Sequence, residues 1–217
     1  MNLKTLILDL FFPPRCTFCH KLVENGEIRV CDRCRGHLPF ASNCGKQRKD
    51  FVKTCVAPFY YEKEVRASLH RFKFGNMPSY AEVYADYVAE CIRAELDGRW
   101  DVLSWIPVSK KRLRERGYDQ AEVLCRAIAD ALGTEAVPLL VKQRHTKAQS
   151  ATGSPEKRRA NIAGAYALLP GADVADRRIL LIDDIITTGA TVTECARTLG
   201  LAGADCVFCA TVARARD

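Results

Sequence analysis

The chain has 217 residues, enough for one full-sized core and a small appendage. Hydrophobic residues make up 48% of it and charged residues 27%, a composition typical of globular proteins that excludes a largely disordered chain. The formal net charge of +7 favours phosphate-bearing ligands or nucleic acid, without the extreme asymmetry of a histone-like protein.

The first segment, MNLKTLILDLFF, is predicted to form a short amphipathic helix that the following two prolines end. Lys4 and Asp9 interrupt its apolar run, and no small-residue cleavage site follows. The run is also too short to cross a bilayer. We therefore expect that the segment is neither a secretory signal nor a membrane span. We also expect the protein to be cytoplasmic.

Eleven cysteines are a high count for a chain expected to live among reduced thiols. Cys16 and Cys19 form one CxxC pair, and Cys31 and Cys34 form a second pair after eleven intervening residues. Each pair brings two thiolates to one side of a tight turn, and four sulfurs in a closed tetrahedral shell suit structural zinc. The spacing predicts a zinc ribbon, with a redox CxxC or plain buried cysteines as the alternative.

Other side chains could replace one of these ligands. Cys44 lies in Asn43-Cys44-Gly45, which looks like the end of a third pair whose first member would be Ala41. His20 and His37 are near enough to substitute, although a loop histidine is more often solvated. Five further cysteines fall on apolar stripes of predicted helices or in the last strand, so we predict that they fill the core: Cys91, Cys125, Cys195, Cys206 and Cys209.

After residue 50 the pattern changes to alternating strands and helices, so we predict an N-terminal unit over residues 1–50 and a second domain over 51–217. Helices are predicted over residues 62–74, 80–96, 120–132 and 191–199. Strands are predicted over residues 55–61, 102–108, 136–141, 165–169, 179–184 and 206–213. This alternation indicates an α/β fold with a parallel sheet covered by helices on both faces.

Residues 179–192 read ILLIDDIITTGATV, an apolar strand that runs into two adjacent carboxylates. Asp183 and Asp184 would emerge at the carboxyl edge of the sheet, where open α/β sheets bind ligands. The next turn leads into a helix whose free N–H groups attract an anion. Acids beside such a cradle suit a ribose 5-phosphate, so we predict that the phosphate is held by Thr187, Thr188, Gly189, Ala190 and Thr191.

Two other interpretations of this stretch stay open. It could be a strand end with solvated acids and a threonine N-cap, or the acidic pocket of a phosphatase-like or receiver-like protein. Neither GxxxxGK[ST] nor GxGxxG occurs in the chain, so an ATP P-loop and a dinucleotide fingerprint have no support.

Residues 109–116 are predicted to be a basic loop at the same edge of the sheet. Five of the seven residues from Lys110 to Arg116 are cationic. Backbone amides and cations beside Mg²⁺ are suited to holding a diphosphate. The alternative is a solvated cationic helix start or a nucleic-acid patch.

Residues 142–161, KQRHTKAQSATGSPEKRRAN, carry six Lys or Arg against one acid and show no hydrophobic periodicity. Twenty such residues inside a compact domain predict a functional lid. The candidates for closing contacts are Arg144, Thr146, Gln149, Arg158 and Asn161, and the first three are also catalytic candidates.

LLIDDIITTGAT closely resembles the phosphoribosyl-pyrophosphate (PRPP) motif of type I phosphoribosyltransferases. The resemblance implies their fold, a parallel sheet flanked by helices with a hood, which in this chain follows an N-terminal zinc ribbon. It implies that Asp183 and Asp184 hold the ribose 2′- and 3′-hydroxyls and that the following loop holds the 5-phosphate. By the same resemblance, the pyrophosphate loop contains Ser109, Lys110 and Lys111.

Other segments extend the resemblance to almost the whole chain. The cysteine ribbon and the segments 12–16, 71–74, 106–120 and 158–161 together look like the ComF family, phosphoribosyltransferase-like proteins with an N-terminal zinc ribbon, linked in several bacteria to natural competence. The chain departs from the family in having only Cys44 in place of a third cysteine pair, and Asp119 where the family often has asparagine.

The resemblance implies transfer of a 5-phosphoribosyl group from PRPP, with Mg²⁺, to an unidentified nitrogen acceptor, with release of pyrophosphate. The hood that recognises the acceptor would include residues 55–75. The alternative is a competence factor that binds single-stranded DNA and keeps PRPP as a regulatory or vestigial ligand. Competence proteins and a second copy of the chain, as a homodimer, are further expected partners.

Overall fold

A computed structural model of the protein describes residues 13–23, 29–143 and 162–216. The predicted N-terminal helix lies outside these residues. The strands, in chain order, are β1 Gln47–Lys49, β2 Val52–Val56, β3 Phe59–Tyr60, β4 Val102–Trp105, β5 Leu140–Lys142, β6 Tyr166–Leu168, β7 Arg178–Ile186 and β8 Cys206–Arg214. The α-helices are α1 Asp32–His37, α2 Lys63–Phe74, α3 Tyr80–Leu96, α4 Lys110–Arg116, α5 Gln120–Leu132 and α6 Ala190–Leu201.

The main sheet has six strands in the order β1-β2-β8-β7-β4, with β3 also pairing with β8. Within the part of this sheet that the structure describes, the pairings of β7 and β8 are parallel, and only the edge strand β1 runs antiparallel to its neighbour. Successive residues of β7 face opposite sides: Leu180 and Ile182 pack with α2, α3 and α5, while Ile179 and Leu181 pack with α6. The predicted α/β fold with helices on both faces is therefore confirmed.

Two strand predictions need correction, and a proline is the cause each time. The strand predicted over residues 55–61 is split into β2 and β3 by Pro58, which has no N–H to donate to a ladder. The strand predicted over residues 136–141 pairs with β4 only at Ala136, before Pro138. Its later residues form β5, which pairs antiparallel with β6 in a separate two-stranded sheet.

The sequence predicts that the acid pair ends strand β7. In the structure the pair lies inside the strand, which continues to Ile186. Trp105 and Ile182 are the last paired residues of β4 and β7. On its other side β7 continues beside β8, where Asp183 is in register with Thr211, and Ile186 with Arg214. The two acids therefore stand where β4 has already left the sheet, which opens one side of β7 to ligands.

None of the helices in the described part of the chain is long and apolar enough to cross a membrane.

Candidate functional site

Asp183 and Asp184 form the centre of the site. Asp184 is buried and Asp183 partly buried, and the backbone N–H of Asp184 donates to Oδ1 of Asp183 over 2.8 Å. Burial, reinforced by the adjacent Asp184 charge, raises the pKa of Asp183 to about 7. The pair therefore offers several acceptor oxygens in a space with little competing water.

The turn after β7 forms a small cradle at the N-terminus of α6. Gly189 is the N-cap residue, with φ of 80°, a left-handed conformation that costs glycine little. A cavity of about 40 Å³ lies against the turn. The five residues of the predicted phosphate cradle, Thr187, Thr188, Gly189, Ala190 and Thr191, all line it, together with Asp183. Free N–H groups and hydroxyls at a helix N-terminus suit an anion.

Lys49, in the edge strand β1, lies across this turn. A Cβ atom built on Gly189 would come within 2.8 Å of Cδ of Lys49. The turn therefore needs glycine for its backbone conformation, and a Cβ there would also require the flexible Lys49 side chain to shift.

We expect Gly189→Ala to destabilise the protein by about 1–2 kcal/mol, because the shift of the Lys49 side chain adds a smaller cost to about 1 kcal/mol for the left-handed backbone. Gly171 is a matched control, since its φ is 81° and nothing lies within 4 Å of a Cβ there. Gly171→Ala should cost only the backbone part, and Lys49→Ala should rescue part of the Gly189→Ala loss. Urea denaturation measures both; equal losses at the two glycines would contradict the packing argument.

A second cavity, of about 100 Å³, adjoins the acid pair and is lined by cations. Both cavities share Asp183 and Thr191. The cationic side chains that line the second one come from three helices or strands and are Lys73, Arg112, Arg116 and Lys142. Pro107 and Val108, which follow β4, also line it. Carboxylates, a phosphate-sized cradle and a cationic recess thus lie side by side at the carboxyl edge of the sheet.

Three of these four cations have a defined partner. Nζ of Lys73 lies 2.9 Å from Oδ2 of Asp184. Lys142 donates to Oη of Tyr166 over 3.0 Å, and burial, with the Arg112 charge as a smaller cause, lowers the pKa of Lys142. Arg116 stacks 4.8 Å from the Phe74 ring centroid.

The basic segment that the sequence presents as a loop is a helix, α4. Ser109 is its N-cap and accepts from the N–H of Arg112 over 3.4 Å. The side chains of Lys110 and Lys111 are exposed, and Lys111 pairs with Glu115 over 3.8 Å. Arg112 and Arg116, one helical turn apart, face the cavity instead. The role of Ser109, Lys110 and Lys111 in binding pyrophosphate stays a prediction.

Asp119, the departure from the family pattern, has a clear structural role. One carboxylate oxygen accepts the N–H of Val108 over 2.8 Å, and the other accepts the N–H groups of Ala121 and Glu122 over 3.0 and 3.3 Å. The side chain thus caps α5 and ties it to the backbone that borders the cavity.

The predicted lid falls between β5 and β6. Its candidate residues Arg144, Thr146, Gln149, Arg158 and Asn161 lie outside the described residues. The strands on either side, β5 and β6, bring Lys142 and Tyr166 to the cavity.

The four predicted zinc ligands come together in the N-terminal region. The Sγ atoms of Cys16, Cys19, Cys31 and Cys34 all lie within 4.8 Å of one another, and those of Cys19 and Cys31 are 3.7 Å apart. Tetrahedral zinc with Zn–S bonds of about 2.3 Å needs sulfurs about 3.8 Å apart, so the set fits this metal. Burial raises the pKa of Cys16, but N–H groups of Cys31, Cys19 and Phe18 more than offset it and bring the pKa to about 7.

The three suggested substitutes are engaged elsewhere. The thiol of Cys44 faces Cys91 of α3, whose pKa is raised by burial first and by this contact second. Nδ1 of His20 lies 3.1 Å from Oη of Tyr80, and Nδ1 of His37 lies 3.0 Å from the carbonyl oxygen of Arg33. Cys44 is not part of the four-sulfur cluster found among the described residues.

Comparisons with known proteins agree with this organisation. Residues 7–57 match the double zinc ribbon domain and residues 119–217 match the phosphoribosyl transferase domain. Competence protein F of Haemophilus influenzae is 26% identical over an alignment of 217 positions that covers 90% of this chain and 94% of that protein. Competence protein ComFC of Streptococcus pneumoniae is 30% identical over 148 residues, 68% of this chain and 62% of that protein.

Among solved structures, the glutamine PRPP amidotransferase of B. subtilis is similar over 64% of this chain, with 18% identity and a TM-score of 0.43. The chain spans 29% of that enzyme's length. The resemblance to the ComF family is confirmed by the sequence relatives and by the two matched domains, a zinc ribbon followed by a phosphoribosyl transferase domain.

Proposed function

We propose that this ComF homologue binds PRPP with Mg²⁺ along the carboxyl edge of β7 and transfers its 5-phosphoribosyl group to a nitrogen acceptor. In this assignment, residues 187–191 hold the 5-phosphate, and Asp183 and Asp184 accept hydrogen bonds from the ribose hydroxyls. The diphosphate with its Mg²⁺ occupies the cationic cavity.

The observation that carries this proposal is that the two cavities meet at the acid pair. PRPP presents a phosphate, two ring hydroxyls and a diphosphate in that order. The chain presents a helix N-terminus, two carboxylates and a cluster of cations in the same order. Complementary charge in adjoining recesses gives both affinity and orientation.

The reaction would form a bond from the acceptor nitrogen to ribose C1 as the C1–O bond to pyrophosphate breaks. The nitrogen loses a proton, and the pyrophosphate leaves with the bonding electrons. Because the transition state has oxocarbenium character, the protein would act by positioning the reactants and stabilising the leaving diphosphate with Arg112, Arg116 and Lys142. No side chain needs to attack the sugar.

Calorimetric titration with PRPP and Mg²⁺ tests the binding step, and release of pyrophosphate in a panel of nucleobases, amines and protein acceptors tests the transfer. We expect binding that requires Mg²⁺ and pyrophosphate release that requires an acceptor. A protein that binds no PRPP at millimolar concentration would refute the proposal.

A second candidate function is binding of single-stranded DNA, and one surface patch favours it. Phe51 is 65% exposed in the turn between β1 and β2. Arg48, Lys49 and Lys53 line an open groove together with Phe51 and Asp205. An exposed aromatic ring among cations is the usual platform for stacking an unpaired base.

The two functions separate by simple measurements. DNA affinity should fall steeply with salt and drop with Phe51→Ala, while PRPP binding should be unaffected by that change. A cytoplasmic location and a homodimer, expected from the sequence, belong to the proposal as well.

A further inference from the structure

The helix α2 connects the zinc ribbon to the candidate site. Arg71 donates to the carbonyl oxygens of Thr17 and Phe18 over 3.1 and 2.6 Å, and Ser68 donates to that of Thr17 over 2.6 Å. These carbonyls belong to the turn between Cys16 and Cys19. The ribbon therefore fixes the last turns of α2, and with them the position of Lys73.

Lys73 points from this last turn into the site. Its side chain is only 20% exposed, and its Nζ pairs with Oδ2 of Asp184 over 2.9 Å. Arg112 and Arg116 line the same cavity of about 100 Å³. Lys73 thus occupies one oxygen, Oδ2, of a carboxylate that the proposed function assigns to a ribose hydroxyl. It does so beside the recess that the proposed function assigns to the diphosphate.

We propose that Lys73 is a specificity residue that selects PRPP over ribose 5-phosphate by exchanging partners, an inference that rests on the proposed function. When a ribose hydroxyl takes the place of Lys73 at Oδ2 of Asp184, the ammonium loses its partner, and a poorly solvated cation without a partner is costly. The flexible four-carbon stem lets Nζ turn to the diphosphate in the same cavity. Ribose 5-phosphate offers no such replacement, so it must displace Lys73 without compensation.

The test compares two ligands on four proteins by calorimetry in the presence of Mg²⁺. The ligands are PRPP and ribose 5-phosphate, and the proteins are the wild type, Lys73→Met, Lys73→Gln and Lys63→Met. Lys63 is exposed at the other end of α2 and serves as the matched control. Thermal denaturation of each variant reports whether the fold is kept.

We expect Lys73→Met to weaken PRPP binding about 10- to 100-fold, the range for one charge-assisted hydrogen bond, and to leave ribose 5-phosphate binding equal or tighter. We expect the same two changes in affinity for Lys73→Gln, which replaces Lys73→Met in the test if the methionine variant does not fold. Lys63→Met should match the wild type for both ligands.

If Lys73→Met weakened the binding of both ligands equally, or changed the affinity for neither, the proposed exchange of partners would be wrong. A wild-type protein that binds neither ligand would instead refute the proposed function itself. The two failures are distinct because the first requires a working wild-type site.

Discussion

Replacing Asp183 and Asp184 together by asparagine is expected to reduce PRPP·Mg²⁺ binding by about 10²- to 10⁴-fold while the fold persists. Each carboxylate would accept a charge-assisted hydrogen bond worth about 1.5–3 kcal/mol. Asparagine keeps the size of the side chain but removes the charge. Calorimetry measures the affinity, and circular dichroism with thermal denaturation checks the fold.

The matched control is Asp205→Asn. Asp205 is an exposed carboxylate just before β8, at the opposite end of the sheet from the acid pair. This variant should bind PRPP like the wild type. Unchanged affinity in the double variant would remove the acid pair from the site and with it the proposed chemistry.

The Asp183→Asn variant should also be more stable than the wild type at pH 8. Burial raises the folded-state pKa of Asp183 from 3.8 to about 7, so its contribution to stability is present below about pH 4 and is lost as pH rises through 7. We expect a gain on the order of 2 kcal/mol at pH 8 that shrinks towards pH 4. Urea denaturation at several pH values measures it, and a pH-independent difference would contradict it.

This pH dependence follows from a trade-off between stability and binding. A buried carboxylate costs the unligated protein free energy, and a sugar hydroxyl that donates to it recovers part of the cost. A binding site that keeps a buried carboxylate therefore lowers the free energy of unfolding of the protein.

The parts of the fold that depend on local pattern could be predicted from the sequence. The helices over residues 80–96 and 120–132 are confirmed to the residue, because each has a continuous apolar stripe. The second also has Asp119 as its N-cap and Gly133, in a left-handed conformation, as its C-cap. The end of β7 could not be predicted, because its last residues pair only with β8, and long-range pairing leaves no local signal.

The site divides in the same way. The acids and the threonine turn are consecutive in the chain, so one motif presents them together. Lys73, Arg112 and Lys142 come from three separate elements and meet only in the folded protein. In α4, the position around the helix axis decides which basic side chains face the cavity and which, like Lys110 and Lys111, are exposed. A segment predicted as a loop gives no such information.

Loss of the zinc should change the stability of the protein by at least as much free energy as the double substitution of the acid pair changes PRPP binding. Structural zinc contributes roughly 10–16 kcal/mol of apparent binding free energy in small ribbons. We expect about one zinc per chain, almost none after Cys34→Ser, and a fall in Tm of about 10 °C or more, since each kcal/mol shifts Tm by about 2–4 °C at this size. Metal analysis of unsupplemented protein and calorimetric denaturation measure the two quantities.

The effect should reach beyond the ribbon because its first turn is built into the main core. Phe18, between the two cysteines of the first pair, is fully buried and contacts the rings of Phe59 and Tyr84. Cys44→Ser is the matched control: its sulfur faces Cys91, so this variant should keep its zinc. Zinc-free wild-type protein, or zinc lost on Cys44→Ser, would contradict the four-cysteine site.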